Sequence, residues 1–364
     1  MQITDIIQEL ERLAPPSLQA SYDNAGLITG DAQAPCTGVL CALDATEEVI
    51  REARDKGCNL VVAHHPILFG GIKRIDPNHY VGRALIESIR SGVAIYAAHT
   101  NLDNLLEGVN GTMADQLGLV GRSVLSPQEH ALKKLHTYVP HHHIDLVVEA
   151  LFAAGAGQIG RYDQCSFRQL GEGSFRPLEG AQPFVGAIGT RHLESEWKLE
   201  VLYPTHLESA ILAALRSVHP YEEVAYDLVP LTNSHPAIGS GLIGSFPEAI
   251  TEEAFLDRIK SAFGSDCLRH TNLIGRPIRR VALCGGAGSF LISKALAAKV
   301  DAFITADLKY HEFFEADGKL LLVDLGHYES EQYTIDLLQG VLAKKFPTFA
   351  VLKTDLITNP VRYR

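Results

Sequence analysis

The sequence lacks the features by which membrane and secreted proteins are recognised. No stretch of its 364 residues is apolar for long enough to indicate a membrane-spanning helix. The first segment, MQITDIIQELERLAPP, carries acidic residues and apolar residues at helical spacing, unlike the basic start and apolar run of a secretory signal. We therefore expect a soluble cytoplasmic protein that begins with an amphipathic helix.

Cysteine is scarce, and positive charge is not in excess. The six cysteines include no CxxC pair, so we expect reduced thiols rather than disulfides or a cysteine zinc cluster. The formal net charge of −11 argues against a general nucleic-acid-binding surface, although one nucleotide can still bind locally. Histidine, by contrast, is abundant at 16 residues, and the question becomes which of them cluster.

The outer parts of the chain alternate between strand and helix patterns. Apolar runs at Gly38–Asp44, Asn59–Pro66 and Val93–His99 predict strands, and Glu47–Lys56 has helical spacing. Such alternation predicts an α/β fold with a mostly parallel sheet covered by helices on both faces. A length of 364 residues corresponds to two or three domains.

The two ends of the chain read as copies of one another, with strand, helix and strand returning after Arg280. Cys41 to His64 spans 64 − 41 = 23 positions, and Cys284 to Asp307 spans 307 − 284 = 23. A spacing of four also recurs, between His99 and Asp103 and between His327 and Glu331. We therefore predict a duplicated three-layer core.

The middle of the chain has a different pattern. Residues 126–235 read as strand, helix, two strands, helix and strand, the order of a ferredoxin-like α+β unit. Pro127 and Pro236 stand at its edges, where hinges are expected. The predicted organisation is a first half of the core at 1–125, an inserted domain at 126–235 and a second half of the core at 236–364.

Polar residues gather where the predicted core strands end, which is the usual ligand crevice of a parallel sheet. Neighbouring strand residues point to opposite faces, so His64 and His65 are expected to serve different ions. Glu331 lies one helical turn after His327, and a carboxylate between two cations can bridge them. With Asp103, these residues form a nitrogen and oxygen set that suits zinc, iron or manganese better than calcium.

Other interpretations remain open for several of these features. A His-His-Pro sequence on its own more often marks a loop or the end of a strand than a pair of ligands. Four further residues either orient the ligands or are ordinary satisfied polar groups at strand ends: Asp44, His99, Asp307 and His311.

Three more motifs have a structural explanation that competes with a functional one. Gly285–Gly288 opens a predicted helix where amides can hold a phosphate, but a tight turn is favoured because the full dinucleotide and P-loop patterns are absent. For His141–His143 a solvated turn is favoured over a metal-binding tract. A turn before a strand explains His219–Glu223 as well as a catalytic pairing does.

Taken in order, YDNAGL at 22–27, HHP at 64–66, HTNLDN at 99–104, TADLKYHEF at 305–313 and GHYESE at 326–331 resemble a known family. It is the dinuclear-metal family of GTP cyclohydrolase 1 type 2 homologues, also called NGG-interacting-factor-like proteins. The stretch YPTHLESAILAALRSVHPYEEVAYDL resembles the PII/CutA-like insertion of its longer members. Tyr22 stands where the family often has tryptophan.

The resemblance implies two divalent metal ions per chain and a toroidal homohexamer whose metals face an inner cavity. It implies five metal ligands: His64, His65, Asp103, His327 and Glu331. It does not supply a physiological reaction. Because two metal ions can polarise a substrate and generate hydroxide, we expect a metal-dependent hydrolase of a phosphorylated or nucleotide-like small molecule. The alternative is a non-catalytic metal-binding or regulatory assembly. A GTP cyclohydrolase reaction rests on the family name alone.

Overall fold

The computed structural model describes residues 1–364, which form two compact units. The core unit contains residues 1–126 and 237–364, and the insert unit contains residues 127–236. None of the helices has the length and apolar character needed to cross a membrane. All six cysteines are free thiols, as predicted, and four of them are buried.

The helices and strands follow one another in three segments of the chain. The first segment contains α1 (Ile3–Leu13), β1 (Gly26–Thr29), β2 (Val39–Asp44), α2 (Glu47–Asp55), β3 (Leu60–His65), α3 (Tyr80–Ser91), β4 (Ala94–Ala97), α4 (Thr100–Asp103), α5 (Val109–Leu117) and β5 (Val120–Pro127). The second contains β6 (Leu132–Pro140), α6 (Ile144–Ala153), β7 (Ser166–Phe175), β8 (His192–Pro204), α7 (Glu208–Val218) and β9 (Tyr226–Pro230). The third contains β10 (Gly239–Ile250), α8 (Glu252–Phe263), β11 (Arg269–His270), β12 (Ile278–Ala287), α9 (Ile292–Ala297), β13 (Ala302–Ala306), β14 (Leu321–Asp324), α10 (His327–Glu331), α11 (Thr334–Lys345) and β15 (Val351–Lys353).

The first sheet of the core unit has the strand order β1-β4-β3-β2-β15. Its pairs are parallel except for β1 with β4 at one edge. Alternate strand residues face opposite layers, because Leu40 and Val61 pack with α2 whereas Cys41 and Val62 pack with α1 and α11. Helices therefore cover both faces, which gives the predicted three layers.

The second sheet of the core unit has the order β11-β14-β13-β12-β10-β5. Its three central strands, β12, β13 and β14, are parallel, whereas β11 and β10 pair antiparallel on either side of them. Both sheets thus contain three consecutive parallel strands with an antiparallel edge strand beside the third. This shared arrangement is the duplication that the spacings predicted.

The insert unit has one four-stranded sheet of order β7-β8-β6-β9, and all of its pairs are antiparallel. Its chain order is strand, helix, strand, strand, helix, strand. Helices α6 and α7 pack on the sheet through Val147, Leu151, Ile211 and Leu215. The insert unit therefore has its own hydrophobic core.

Candidate metal centre

Both halves of the core unit bring the five predicted ligands together. His64 and His65 are the last residues of β3, and Asp103 is the last residue of α4. His327 and Glu331 begin and end α10, so one helical turn separates them and His327 Nε2 lies 3.1 Å from Glu331 Oε2. Residues far apart in the sequence thus meet where the strands end.

Glu331 lies between the two adjacent histidines of β3. Its Oε2 is 2.9 Å from His65 Nε2, and its Oε1 is 3.8 Å from His64 Nε2. The side chain is buried, with 3% of its surface exposed. Each carboxylate oxygen therefore faces a different histidine, as required of a carboxylate that bridges two ions.

Two ligand atoms at this site lack an ordinary hydrogen-bond partner. His64 Nε2 and Asp103 Oδ1 are buried with no partner and lie 3.6 Å apart. Such a gap is too long for a hydrogen bond and is close to the separation of two atoms that share one ion at bond lengths of about 2.0–2.2 Å. His65 Nε2 and His327 Nε2 also face each other, at 3.3 Å. The donor set therefore fits divalent metal ions.

The second ring nitrogen, Nδ1, of His64, His65 and His327 forms a hydrogen bond on the side of the ring away from the cluster. His65 Nδ1 lies 2.8 Å from Asp44 Oδ1, and His327 Nδ1 lies 2.7 Å from Asp307 Oδ2. The Nδ1–H of His64 donates to the Ala98 carbonyl at 2.8 Å. These contacts leave Nε2 as the nitrogen that faces the site, which is the usual support for a metal-binding imidazole.

His99 joins the cluster itself instead of standing behind it. Its ring centroid lies 5.3 Å from that of His64 and 5.5 Å from that of His65. Its Nδ1 is 2.7 Å from Asp23 Oδ1, so its Nε2 is the free ring nitrogen. Asp23 also accepts the backbone N–H of Thr100, at 3.0 Å. Asp23 belongs to the YDNAGL motif, but a separation of 76 residues from His99 concealed this role in the sequence.

Two groups of side chains have the spacing needed to hold a metal ion. One contains His64, His65 and His99, and the other contains His65, His327 and Glu331. The remaining predicted supporting residue, His311, is exposed and contacts the rings of its neighbours Tyr310 and Phe314. The structure does not bring His311 into this site.

The glycine-rich segment after β12 makes room for Glu331. Gly286 has a φ of +60°, and a Cβ built there would overlap Glu331 Oε1. The amide of Gly286 donates to Ser330 Oγ at 3.0 Å, and that of Gly288 donates to Thr305 Oγ1 at 2.9 Å. Because these two amides already donate hydrogen bonds to side chains, they are not available to a phosphate. The glycines instead allow β12 and α10 to pack closely.

The carboxylates at the site raise the pKa values of two of its histidines. Burial lowers the pKa of His65, but the carboxylates of Asp44 and Glu331 outweigh it and raise the pKa to about 10. Glu331 and Asp307 likewise outweigh the effect of burial on His327 and raise its pKa to about 9. Without ions, both imidazoles therefore hold protons where ligand bonds would form.

The two carboxylates at the centre shift in opposite directions. Burial raises the pKa of Asp103. Burial also opposes ionisation of Glu331, but hydrogen bonds with His327, His64 and His65 outweigh it and lower the pKa of Glu331. Positive charge at the centre, carried by protonated imidazoles or by metal ions, would therefore stabilise the ionised form of both carboxylates.

A cavity of about 940 Å³ lies beside the cluster, and Asp103, His65, His99, His327 and Glu331 form part of its wall. No lysine or arginine lines this cavity. Four aromatic side chains of its wall are more than half exposed, namely those of Tyr22, Phe69, Tyr80 and Phe290. A small molecule therefore has both access to the cluster and flat rings to pack against.

The other histidine motifs lie in the insert unit and contribute nothing to this site. His141–His143 forms a turn in which His141 and His142 are exposed. His219 is buried, and its ring nitrogens bond to the backbone of Tyr138 and Tyr221. Both motifs have the structural roles that the sequence favoured or allowed.

Comparison with known proteins gives matches along the whole chain. A family model described as Duf34/NIF3 (NGG1p interacting factor 3) matches residues 1–360. A protein of Halalkalibacterium halodurans named GTP cyclohydrolase 1 type 2 homolog is 40% identical over 364 residues, covering 98% of each chain. The protein of the same name from Bacillus subtilis is 37% identical and covers 98% of this chain and 97% of its own.

Solved structures agree with these matches. The structure of a Bacillus cereus protein related to NIF3 superimposes with a TM-score of 0.87 at 34% identity, covering 100% of this chain and 99% of the other. The Staphylococcus aureus protein SA1388 superimposes with a TM-score of 0.78 at 29% identity, with the same coverage. The chain belongs to the Duf34/NIF3 family.

Proposed function

We propose that this protein is a hydrolase that depends on two divalent metal ions and acts on a phosphorylated or nucleotide-like small molecule. The observation that carries the proposal is Glu331, whose two oxygens face different histidines at the wall of a large cavity. A structural metal site is closed by protein ligands, whereas a catalytic site keeps positions open for water and substrate. The open cavity beside the cluster favours catalysis.

The ligands would divide between two ions, with Glu331 available to both. One ion would be held by His64 and Asp103, with His99 as a further ligand, and the other by His65 and His327. This nitrogen and oxygen set suits zinc, iron or manganese. Divalent ions in such a centre supply Lewis acidity and activate water for attack on an ester or phosphoester.

The side chains of the chain itself orient the site. Asp23, Asp44 and Asp307 each hold the Nδ1 of one histidine, which fixes the ring and leaves Nε2 facing inward. The carboxylates of Asp44 and Asp307 also raise the pKa values of His65 and His327, and a more basic imidazole is a stronger ligand. The three aspartates therefore orient the histidines whose Nδ1 atoms they contact.

The charges and the aromatic side chains of the cavity wall limit the class of substrate that can bind. Without lysine or arginine in the wall, the ions are the positive charges that remain for an anionic group. The exposed rings of Tyr22, Phe69 and Phe290 offer faces on which a base or another flat group stacks. A phosphomonoester with a ring fits this wall better than a triphosphate, whose additional charges would meet no lysine or arginine.

A GTP cyclohydrolase reaction is the activity in the name of the relatives. Opening of the guanine ring requires a general acid and a purine pocket, and a triphosphate requires counter-charges. The cavity wall offers no lysine or arginine for the triphosphate. We therefore place GTP below a phosphomonoester among the substrates to be tested.

The experiment combines metal analysis with a substrate screen. Elemental analysis of the purified protein is expected to give close to two divalent ions per chain. Glu331→Ala and Asp103→Ala should empty the site, whereas His141→Ala in the insert unit should not. Phosphoesters and nucleotides are then screened with protein loaded with zinc, iron or manganese.

Each result has a defined meaning. Full metal content in both carboxylate variants would contradict the ligand assignment. Two bound ions with no turnover of any substrate would favour the alternative, a non-catalytic metal-binding or regulatory assembly.

We also propose that the chain forms a homohexamer, on the basis of its family. Homo-oligomers with closed symmetry are the common form of soluble assemblies. Light scattering in dilute solution gives the mass directly. A monomer at micromolar concentration would contradict this proposal.

A further inference from the structure

The insert unit contains a cavity of its own, of about 510 Å³. It is lined by residues of β6, β7 and β8, of the segment between β7 and β8, and of the segment that precedes β9. Part of its wall is aromatic and consists of Phe175, Phe184 and Tyr221. The ring centroid of Tyr221 lies 5.9 Å from that of Phe175 and 6.2 Å from that of Phe184. This cavity shares no residue with the candidate metal centre.

A buried carboxylate, that of Glu196, lines this cavity beside its aromatic side chains. Glu196 on β8 is 8% exposed. The hydroxyl of Tyr221 donates to its Oε1 at 2.7 Å, and the carboxylate takes part in no salt bridge of the structure. A carboxylate that keeps only 8% of its exposure and has no counter-charge gains stability from a positively charged occupant of the cavity.

The neighbouring strand provides the space for this carboxylate. A Cβ at Gly173 of β7 would overlap Glu196 Oε2, so only glycine leaves room for that oxygen. Oε1 is held by Tyr221, while Oε2 accepts no hydrogen bond in the structure. The carboxylate is therefore fixed in position with one oxygen left to accept from another molecule.

We propose that this cavity binds a small organic cation, namely a primary ammonium group carried on an apolar or aromatic body. Glu196 would accept from the ammonium group, and the rings of Phe175, Phe184 and Tyr221 would contact the body through apolar and cation–π interactions. Glu222 and Glu223 add negative charge to the wall, whereas its one basic residue, Arg176, has an exposed side chain. With three carboxylates and one arginine, the wall favours a cation over an anion.

The test is isothermal titration calorimetry of the full-length protein at neutral pH with three probes of one shape. Phenethylamine is cationic, 2-phenylethanol is neutral and phenylacetate is anionic. We expect the amine to bind at least tenfold more tightly than the alcohol, because a hydrogen bond to a charged group is stronger than a neutral one. Phenylacetate should give no binding.

Variants locate the binding in this cavity. Glu196→Gln keeps the shape and the Tyr221 contact, so it should lower the affinity for the amine to that for the alcohol. The matched control is Glu200→Gln, on the same strand but paired with Lys134 and Lys198 outside the cavity. Phe184→Ala, at a side chain that is half exposed, should weaken both ligands without affecting the fold.

Three results would overturn the proposal. One is equal affinity for phenethylamine and 2-phenylethanol in the unchanged protein. Another is undiminished amine binding by both Glu196→Gln and Phe184→Ala, with circular dichroism showing that each is folded. The third is the absence of amine binding at millimolar concentration.

Discussion

Replacement of Asp44 by asparagine tests whether His65 is a metal ligand oriented from behind. Asp44 Oδ1 lies 2.8 Å from His65 Nδ1, and this carboxylate helps to raise the pKa of the imidazole. Asparagine keeps the size and one acceptor oxygen but removes the charge. Loss of such a supporting carboxylate typically weakens metal binding about 10–100-fold.

The structure places the expected effect near the lower end of that range. The Asp44 side chain is one-third exposed, so water already screens part of its charge, and Thr358 also contacts it. We expect a loss of about 10–30-fold in affinity for the ion at His65, which corresponds to about 1.4–2 kcal/mol. The ion at His64 should be affected much less, because its ligand is held by the Ala98 carbonyl.

The assay is competition for zinc between the metal-free protein and a chromophoric chelator, which resolves two binding steps. The control is Asp336→Asn, which removes a carboxylate from an exposed pair with Lys353. Zinc affinities unchanged within twofold at both steps in Asp44→Asn would refute the assignment of His65. An equal loss in the Asp336 variant would show a general effect of charge instead.

Three further predictions concern protons, packing and the insert. The pKa values of His65 and His327 are about 10 and about 9 without ions, so zinc binding at pH 7.5 should release about two protons per chain, and fewer at pH 10.5. Calorimetry in buffers of different ionisation enthalpy measures the number of protons released. A number that does not depend on pH would contradict the prediction. Gly286→Ala should lose about 1–3 kcal/mol of stability and part of its metal, whereas the control Gly57→Ala, also at positive φ but in open space, should lose stability alone. Thermal unfolding and elemental analysis compare the two variants. Equal metal content in both would show that the contact between Gly286 and Glu331 is unimportant. Gly241 of β10 lies against Leu125 of β5, so a short glycine and serine linker can replace residues 128–236 and should leave a folded protein with its metal content. Loss of both ions with an unchanged circular dichroism spectrum would contradict this prediction.

The parts of the site that the sequence predicted are those set by short-range rules. A strand that ends in His64 and His65, and a helix that carries His327 and Glu331 one turn apart, follow from local periodicity. Their positions at the carboxyl ends of the strands follow from the α/β pattern. The same local pattern predicted the duplicated sheets.

The parts that the sequence did not predict depend on contacts between distant segments. The contact between Asp23 and His99 joins residues 76 positions apart, and the clearance between Gly286 and Glu331 depends on how α10 packs on β12. Spacing alone also did not show whether the ring of His99 faces the cluster or stands behind it. The antiparallel pairing of β10 with β12 was hidden as well, because the apolar pattern of a buried strand does not record its direction.

The division of the ligands between the two halves of the core has a consequence for the order of folding. His65 and Glu331 are 266 positions apart, so neither half of the core unit contains a complete set of ligands. A chain whose first half alone has folded presents its histidines without the carboxylate that joins them. Stable metal loading must therefore follow the docking of the two halves, and excess zinc during refolding would trap incomplete forms in which other groups replace Glu331.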